Sequence, residues 1–186
     1  GKVRHAVAAV EAGCDIVVAQ GTEAGGHTGQ VATLPLVAQV VEAVGDRVPV
    51  VAAGGISDGR GLAAALALGA DGVWVGTRFI ATPEANTGVG FKDALLRSRE
   101  DDTVISKAFS GKTMRVIRNE VANHFLEHPE ELKPFPEQLL AVFGMKEPAV
   151  VSIGAQLLRV LSLSGLFIAV ALTYTGGLQG TGDTKS

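Results

Sequence analysis

One histidine among four glycines is the feature of this 186-residue sequence that could do chemistry most directly. His27 stands in the run Gln20-Gly21-Thr22-Glu23-Ala24-Gly25-Gly26-His27-Thr28-Gly29, directly after a short apolar stretch. Glycines let the backbone approach a flat ligand closely, and a loop can present an imidazole to that ligand. Imidazoles titrate near neutral pH, so this histidine could act as a general base. The alternative is a turn histidine whose ring bonds to nearby backbone.

Two further glycine turns could hold an anionic group. Gly54-Gly55 and Gly76 each follow an apolar stretch. Backbone N–H groups in such turns can converge on an anion, and the loops after the last two strands of a (β/α)₈ barrel commonly form a phosphate site. Either turn alone is a weak signal, since glycine pairs also close ordinary turns. Two in succession, separated by an Ala-rich helix, are more specific.

Three apolar strands are predicted to position these turns. Ile16–Ala19, Val48–Ala53 and Gly72–Val75 are apolar runs without alternation, as is typical of parallel strands covered by helices. Ala-rich helices ending in glycine precede the first and third strands, and a helix from about Leu34 to Val44 precedes the second. Ligands bind at the carboxyl ends of parallel strands in such folds. The predicted fold class is therefore α/β.

The composition excludes several functional classes. The net charge is −3 and no basic patch is visible, which argues against nucleic-acid binding. Cys14 is the only cysteine, so an intrachain disulfide is impossible and no metal site is predicted. Cys14 itself is expected to pack as a small apolar residue. No signal peptide precedes the first predicted helix, and the expected compartment is the cytoplasm.

The last part of the sequence is unusually apolar. From Pro148 to Leu178 the only charged residue is Arg159, and Val160–Leu178 has none. A run of this length fits a transmembrane helix, and a buried helix of a soluble core is the alternative. The sequence thus divides into residues 1–146 and a tail, 147–186, that is predicted to associate with a membrane through residues 148–178. A chain ending at Met145 is expected to be more soluble than the whole.

The motifs of the first part resemble, in order, those of the nitronate monooxygenase (2-nitropropane dioxygenase) family. The resemblance covers about residues 1–145. It rests on the runs Gln20-Gly21-x-Glu23-Ala24-Gly25-Gly26-His27, Ala52-Ala53-Gly54-Gly55-Ile56, Gly69-Ala70-Asp71-Gly72-Val73, Gly76-Thr77-Arg78-Phe79 and Gly111-x-x-x-Arg115-x-x-x-Asn119. It implies an FMN-dependent (β/α)₈ TIM barrel, a fold that takes about 250 residues. Only three strands are identifiable, so the chain is expected to hold the last three strands of a partial barrel, then helices, including ones at about Gly90–Ser98 and Glu120–Lys133, and an apolar C-terminal helix.

The resemblance also implies a reaction and residue roles. A base removes a proton from the carbon of a nitroalkane, and the resulting nitronate passes electrons to FMN and then to O₂. The small-molecule nitronate or nitroalkane and O₂ are therefore the expected partners. The catalytic base maps to His27. The FMN contacts map to Gln20, Gly25 and Gly26, and the FMN phosphate maps to Gly54, Gly55, Gly76 and Thr77.

The tail carries a second resemblance. Residues 147–186 are similar to a fragment of a MATE-type efflux transporter, chiefly through the tract Gly177–Thr184. A gene fusion, or an artefact joining two truncated reading frames, would explain the combination. Two other functions stay open. One is a flavin-dependent enoyl-acyl-carrier-protein reductase, whose family has similar glycine-histidine loops; the other is a non-catalytic, membrane-associated fusion fragment.

Overall fold

The computed structural model describes residues 1–161 of the chain. These residues form two compact units. The first consists of Gly1–Ala108 and Lys112–Glu131, and the second consists of Phe109–Gly111 and the described residues from Leu132 onward.

The first unit alternates helices and strands. In chain order its elements are α1 (Val3–Glu11), β1 (Val17–Gln20), β2 (Gly26–His27), α2 (Thr33–Val44), β3 (Val50–Ala53), α3 (Gly59–Ala67), β4 (Gly72–Trp74), α4 (Thr77–Ile80), α5 (Val89–Arg97), β5 (Thr103–Ser106), β6 (Met114–Ile117) and α6 (Glu120–Glu127), followed by a 3₁₀ turn at Pro129–Glu131. The second unit contains α7 (Glu137–Val142), and residues 148–161 are also helical.

A parallel sheet with the order β1-β3-β4 organises the first unit. Val17 lies opposite Val50, and Val51 lies opposite Gly72. The side chain of Asp71 fixes this register, since its Oδ2 accepts from the Val50 N–H at 2.8 Å. The prediction of three parallel strands, each preceded by a helix, is confirmed, with boundaries that differ by one or two residues. Their place as the last three strands of an eight-stranded barrel stays a prediction.

Helix α2 supplies more buried residues to the core of this sheet than any other single element. Its apolar residues recur at helical spacing, and four of them are buried against β1 and β3. They are Leu36, Val37, Val40 and Val44. Burying one such side chain contributes about 1.5–3 kcal/mol, so this stripe anchors the sheet and the loops at its carboxyl edge.

A second, antiparallel sheet has the order β2-β6-β5 and was not predicted. Gly26 lies opposite Arg115 and His27 lies opposite Met114, while Thr103 pairs with Ile117 across the β5-β6 hairpin. The interpretation of His27 as a loop residue is therefore wrong in detail. It lies on a two-residue strand, because β6 offers that segment a backbone partner from a distant part of the sequence.

Two local predictions need correction. The helix expected over Glu120–Lys133 ends at Glu127, because His128 leaves helical geometry directly before Pro129. Cys14 is exposed rather than packed. It follows Gly13, whose φ of 92° turns the chain away from the end of α1 and leaves the thiol outside the core. The polar helix expected near Gly90–Ser98 is present as α5.

The described part of the tail packs as a helix within the second unit. Ala155 is buried, and a Cβ at Gly154 would lie 3.1 Å from Leu140 Cδ2. Arg159 Nη2 donates to Glu137 Oε1 at 3.0 Å. Among residues 1–161, no helix is both long and apolar enough to cross a membrane. The span predicted at Val160–Leu178 lies outside these residues except for its first two positions.

Candidate active site

Three glycine-containing loops meet at the carboxyl edge of the parallel sheet. A Cβ at Gly25, in the loop after β1, would lie only 2.7 Å from Thr77 Oγ1, which follows β4. A Cβ at Gly54, after β3, would lie 3.1 Å from both Gly21 O and Ala24 N. Such distances leave no room for a side chain, so the loops can approach one another this closely only with glycine at these positions.

The turn after β3 depends on glycine for a second reason. Gly54 and Gly55 have φ values of 107° and 71°, in the left-handed region that side-chain-bearing residues rarely adopt. This conformation turns the backbone sharply at the end of β3 before α3 begins. The turn therefore presents main chain rather than side chains to the edge of the sheet.

Hydrogen bonds between Glu23 and Thr33 hold the first loop in place. Glu23 Oε2 accepts hydrogen bonds from Thr33 N and Thr33 Oγ1, both at 2.8 Å, and Thr33 Oγ1 also lies 3.0 Å from Gly54 O. Desolvation is the largest single influence on the Glu23 carboxyl and raises its pKa. The Thr33 hydrogen bonds and the nearby Arg115 charge together bring that pKa below its usual 4.5. Glu23 is thus held as a carboxylate that orders the loop.

His27 is exposed and is positioned through its backbone. Its carbonyl accepts from Gln20 Nε2 at 2.8 Å, while β2 pairs with Met114. The next residue is fixed as well, since Thr28 Oγ1 donates to Gly21 O at 2.9 Å. Gln20, predicted as a cofactor contact, therefore has a structural task in addition: it ties the end of β1 to the histidine strand.

Arg115 is the residue that sequence reasoning left without a role. Its Nε donates to Thr22 O at 3.0 Å and its Nη1 donates to Thr103 Oγ1 at 2.8 Å, so it joins the glycine loop to the second sheet. The spacing Gly-x-x-x-Arg-x-x-x-Asn was the available signal. Asn119 of that motif caps α6, because its Oδ1 accepts from Ala122 N at 3.0 Å.

The donors available at this edge are backbone N–H groups of the glycine turns. Among residues 1–161, the N–H groups of Gly54, Gly55 and Gly76 donate to no protein acceptor. The start of α3 is different, because Asp58 Oδ1 already accepts from Arg60 N at 3.0 Å and Gly61 N at 3.2 Å. The unpartnered glycine donors suit a phosphate or another anion, and they fit the predicted anionic end of a flavin mononucleotide.

Each predicted site residue lies at or beside this edge. Gly25 meets Thr77, Gly54 meets the first loop, and a Cβ at Gly55 would lie 3.0 Å from Glu23 Cβ. Gly26 lies on β2 with His27, and Gly76 lies in the third loop, directly before α4, with nothing within 4 Å of its Cβ position. The structure thus brings the set together, while the role of each residue toward a cofactor stays a prediction.

A parallel α/β sheet with glycine turns and an exposed histidine at its carboxyl edge is an arrangement typical of α/β barrel enzymes, which bind their ligands at that edge. The chain belongs to the nitronate monooxygenase family, whose family model matches residues 1–158. It is accordingly a member of a family of flavin oxidoreductases. The match runs past the join predicted at residue 146, so residues 147–158 lie inside it and the transporter resemblance gains no support there.

Individual proteins with similar sequences or structures support this family assignment. A protein named "Probable nitronate monooxygenase" from Staphylococcus aureus is 43% identical over 146 residues, which cover 73% of this chain and 41% of that protein. Nitroalkane oxidase from Streptomyces ansochromogenes aligns with a TM-score of 0.67 and 35% identity, covering 83% of this chain and 46% of that one. FabK from Thermotoga maritima aligns with a TM-score of 0.65 and 40% identity, covering 71% and 43%.

The chain therefore spans less than half the length of these relatives. The strands and loops described above correspond to a portion of their fold. The activity of the full-length relatives is therefore a proposal for this chain.

Proposed function

We propose that this chain supplies the general base and the phosphate-binding turns of an FMN-dependent enzyme that oxidises nitronates and nitroalkanes with O₂. The observation that carries the proposal is the convergence of three glycine-containing loops, with His27 beside them, at one edge of the parallel sheet. The family of the chain and its likeness to a nitroalkane oxidase support this choice of substrate class.

His27 is the base in this proposal. A proton on the carbon next to a nitro group is acidic because the nitro group delocalises the resulting charge, so a positioned imidazole can remove it. The exposed ring is carried by a strand that Gln20 and Met114 hold at its backbone, which fixes where the ring can reach. A pre-formed nitronate has already lost that proton and has no need of the base.

The glycine turns bind the anionic end of the cofactor in this proposal. Three backbone donors at Gly54, Gly55 and Gly76 have no protein acceptor among residues 1–161, and anions bind well to such groups. Thr77 follows directly and can add its hydroxyl. Bound flavin supplies the transfer of electrons from nitronate to O₂.

Oxygen consumption tests the proposal. The protein containing this sequence is loaded with FMN, freed of unbound cofactor, and mixed with a nitroalkane or with the corresponding nitronate prepared at high pH. We expect FMN to be retained and O₂ to be consumed with both compounds, in proportion to the FMN bound. Protein that retains no FMN, or that consumes O₂ equally without any nitro compound, contradicts the proposal.

A second candidate is a flavin-dependent enoyl-acyl-carrier-protein reductase. The likeness to FabK favours it, at slightly higher identity than the nitroalkane oxidase. The two functions differ in the electron source, since the reductase would draw electrons from a nicotinamide cofactor. NADPH oxidation that depends on an enoyl thioester, together with no turnover of nitronate, would favour the reductase.

A further inference from the structure

A cluster of imidazoles and carboxylates lies at the C-terminal end of α6, among residues with no part in the proposed reaction. His124 and His128 are four residues apart, and His128 N donates to His124 O at 2.8 Å, which keeps the helical turn between them intact. Their ring centroids are 4.9 Å apart. The 3₁₀ turn that follows brings Glu130 and Glu131 back beside these rings.

The ligand-type atoms of this cluster are already close. His124 Nε2 lies 2.9 Å from Glu131 Oε2, and His128 Nδ1 lies 3.4 Å from Glu130 Oε1. One ligand atom from each of His128, Glu130 and Glu131 lies within 4.8 Å of the others. Tetrahedral zinc, with bonds of about 2.0–2.1 Å, holds its ligand atoms about 3.3 Å apart. All four side chains are about half exposed or more, so they have room to rotate toward that arrangement.

The donor types select among cations. Two imidazole nitrogens favour zinc, nickel, copper or cobalt over magnesium or calcium, which prefer oxygen alone. His124 lies in the last turn of α6 and His128 is its C-cap residue, so the two have the i, i+4 spacing that helical zinc sites use, although His128 itself is outside the helix. An acidic cluster by itself would not make this distinction, but the two imidazoles do.

We propose that His124, His128, Glu130 and Glu131 form a binding site for one divalent transition-metal ion of the zinc type. The ion would tie the end of α6 to the 3₁₀ turn, a segment otherwise held by exposed polar contacts. Since binding favours the folded state by mass action, it should stabilise the first unit. The sequence analysis predicted no metal site because the chain has a single cysteine. That reason does not apply to a site made of histidine and glutamate.

Zinc titration tests the site. Protein without an affinity tag is titrated with zinc chloride by calorimetry, and cobalt chloride is used in parallel because its visible absorption reports coordination by imidazole. We expect one ion per chain. Replacing a ligand in His124→Ala or His128→Ala should weaken binding by at least the roughly 10–100-fold that loss of an outer-shell partner costs in known metal sites.

Two further variants keep the result interpretable. His5→Ala removes an exposed histidine on α1 and should leave zinc affinity unchanged. Glu131→Gln keeps the size and hydrogen bonding of the side chain but loses its charge, and it should weaken zinc binding without changing the circular dichroism. Absence of stoichiometric zinc binding by the unaltered protein overturns the proposal. So does zinc binding that survives the His124→Ala/His128→Ala double substitution, or that falls equally in His5→Ala.

Discussion

The position of His27 is set through its backbone and its neighbouring loop, by residues that are not adjacent to it in the sequence. Gln20 holds its carbonyl, Met114 pairs with its strand, and Arg115 ties the preceding loop to Thr103. The glycine run was enough to predict that a histidine would be presented at the end of β1. It could not predict Arg115, because that contact spans 93 residues and nothing local to either segment encodes it.

His27→Ala should separate the two proposed substrates. Loss of a general base typically costs about 10²–10⁴-fold, so turnover of the neutral nitroalkane should fall by that factor. Turnover of pre-formed nitronate should stay near that of the unaltered protein, because no proton remains to be removed. Steady-state O₂ consumption with each compound measures both rates, and His5→Ala serves as the matched control. An equal loss on both substrates would contradict the assignment of the base.

The lowered pKa of Glu23 predicts that the free energy of unfolding depends on pH. Its pKa lies below the usual 4.5, so it contributes stability that is present above that value and is lost as the pH falls through the lower, folded-state pKa. Glu23→Gln still offers an oxygen to Thr33 but cannot titrate. The free energy of unfolding should therefore fall more steeply below about pH 4.5 in the unaltered protein than in the variant. Parallel curves in urea titrations at several acidic pH values would contradict this role.

At the scale of elements, the apolar runs predicted the parallel strands well because each strand is covered by a helix and shows no competing pattern. The antiparallel sheet escaped prediction for a physical reason. Strand β2 has two residues, and β5 and β6 are only partly buried, so neither composition nor alternation marks them. Their pairing arises from tertiary contact, which segments of two to four residues do not reveal in sequence.

Gly76→Ala isolates cofactor binding from folding. Gly76 has a negative φ of −107°, and nothing in the described chain lies within 4 Å of its Cβ position, so an alanine should leave stability nearly unchanged. If an anion approaches this backbone, the added methyl group should still weaken FMN binding. Fluorescence titration of FMN measures that affinity, and Gly88→Ala, equally open but outside the three loops, is the control. If Gly76→Ala binds FMN as tightly as Gly88→Ala does, the phosphate does not lie against Gly76.

At the scale of the whole chain, apolar surface collects where a three-stranded sheet ends. Ile16, beside β1, is 58% exposed, and Trp74, on β4, is 64% exposed. Each of these strands has one neighbour among the described residues. Large exposed apolar groups usually mark a surface that another element covers. The relatives are longer than the part that this chain matches, so we propose that further strands cover these groups in such a longer protein.

The helical residues after Met145 lead to a final prediction. It differs from the sequence-based expectation that a chain ending at Met145 is more soluble than the whole chain. Leu140 is 5% exposed and lies against Gly154, so a chain ending at Met145 uncovers it. Burial of a leucine is worth about 1.5–3 kcal/mol. The ion pair of Arg159, which is 60% exposed, with the half-buried Glu137 is worth about 0–1 kcal/mol. A chain ending at Leu161 should therefore unfold at a higher temperature than one ending at Met145, and Arg159→Ala in the longer chain should change little. Calorimetric melting of the three proteins measures this. If the chain ending at Met145 melts at the same temperature as the longer one, residues 148–161 do not stabilise the second unit.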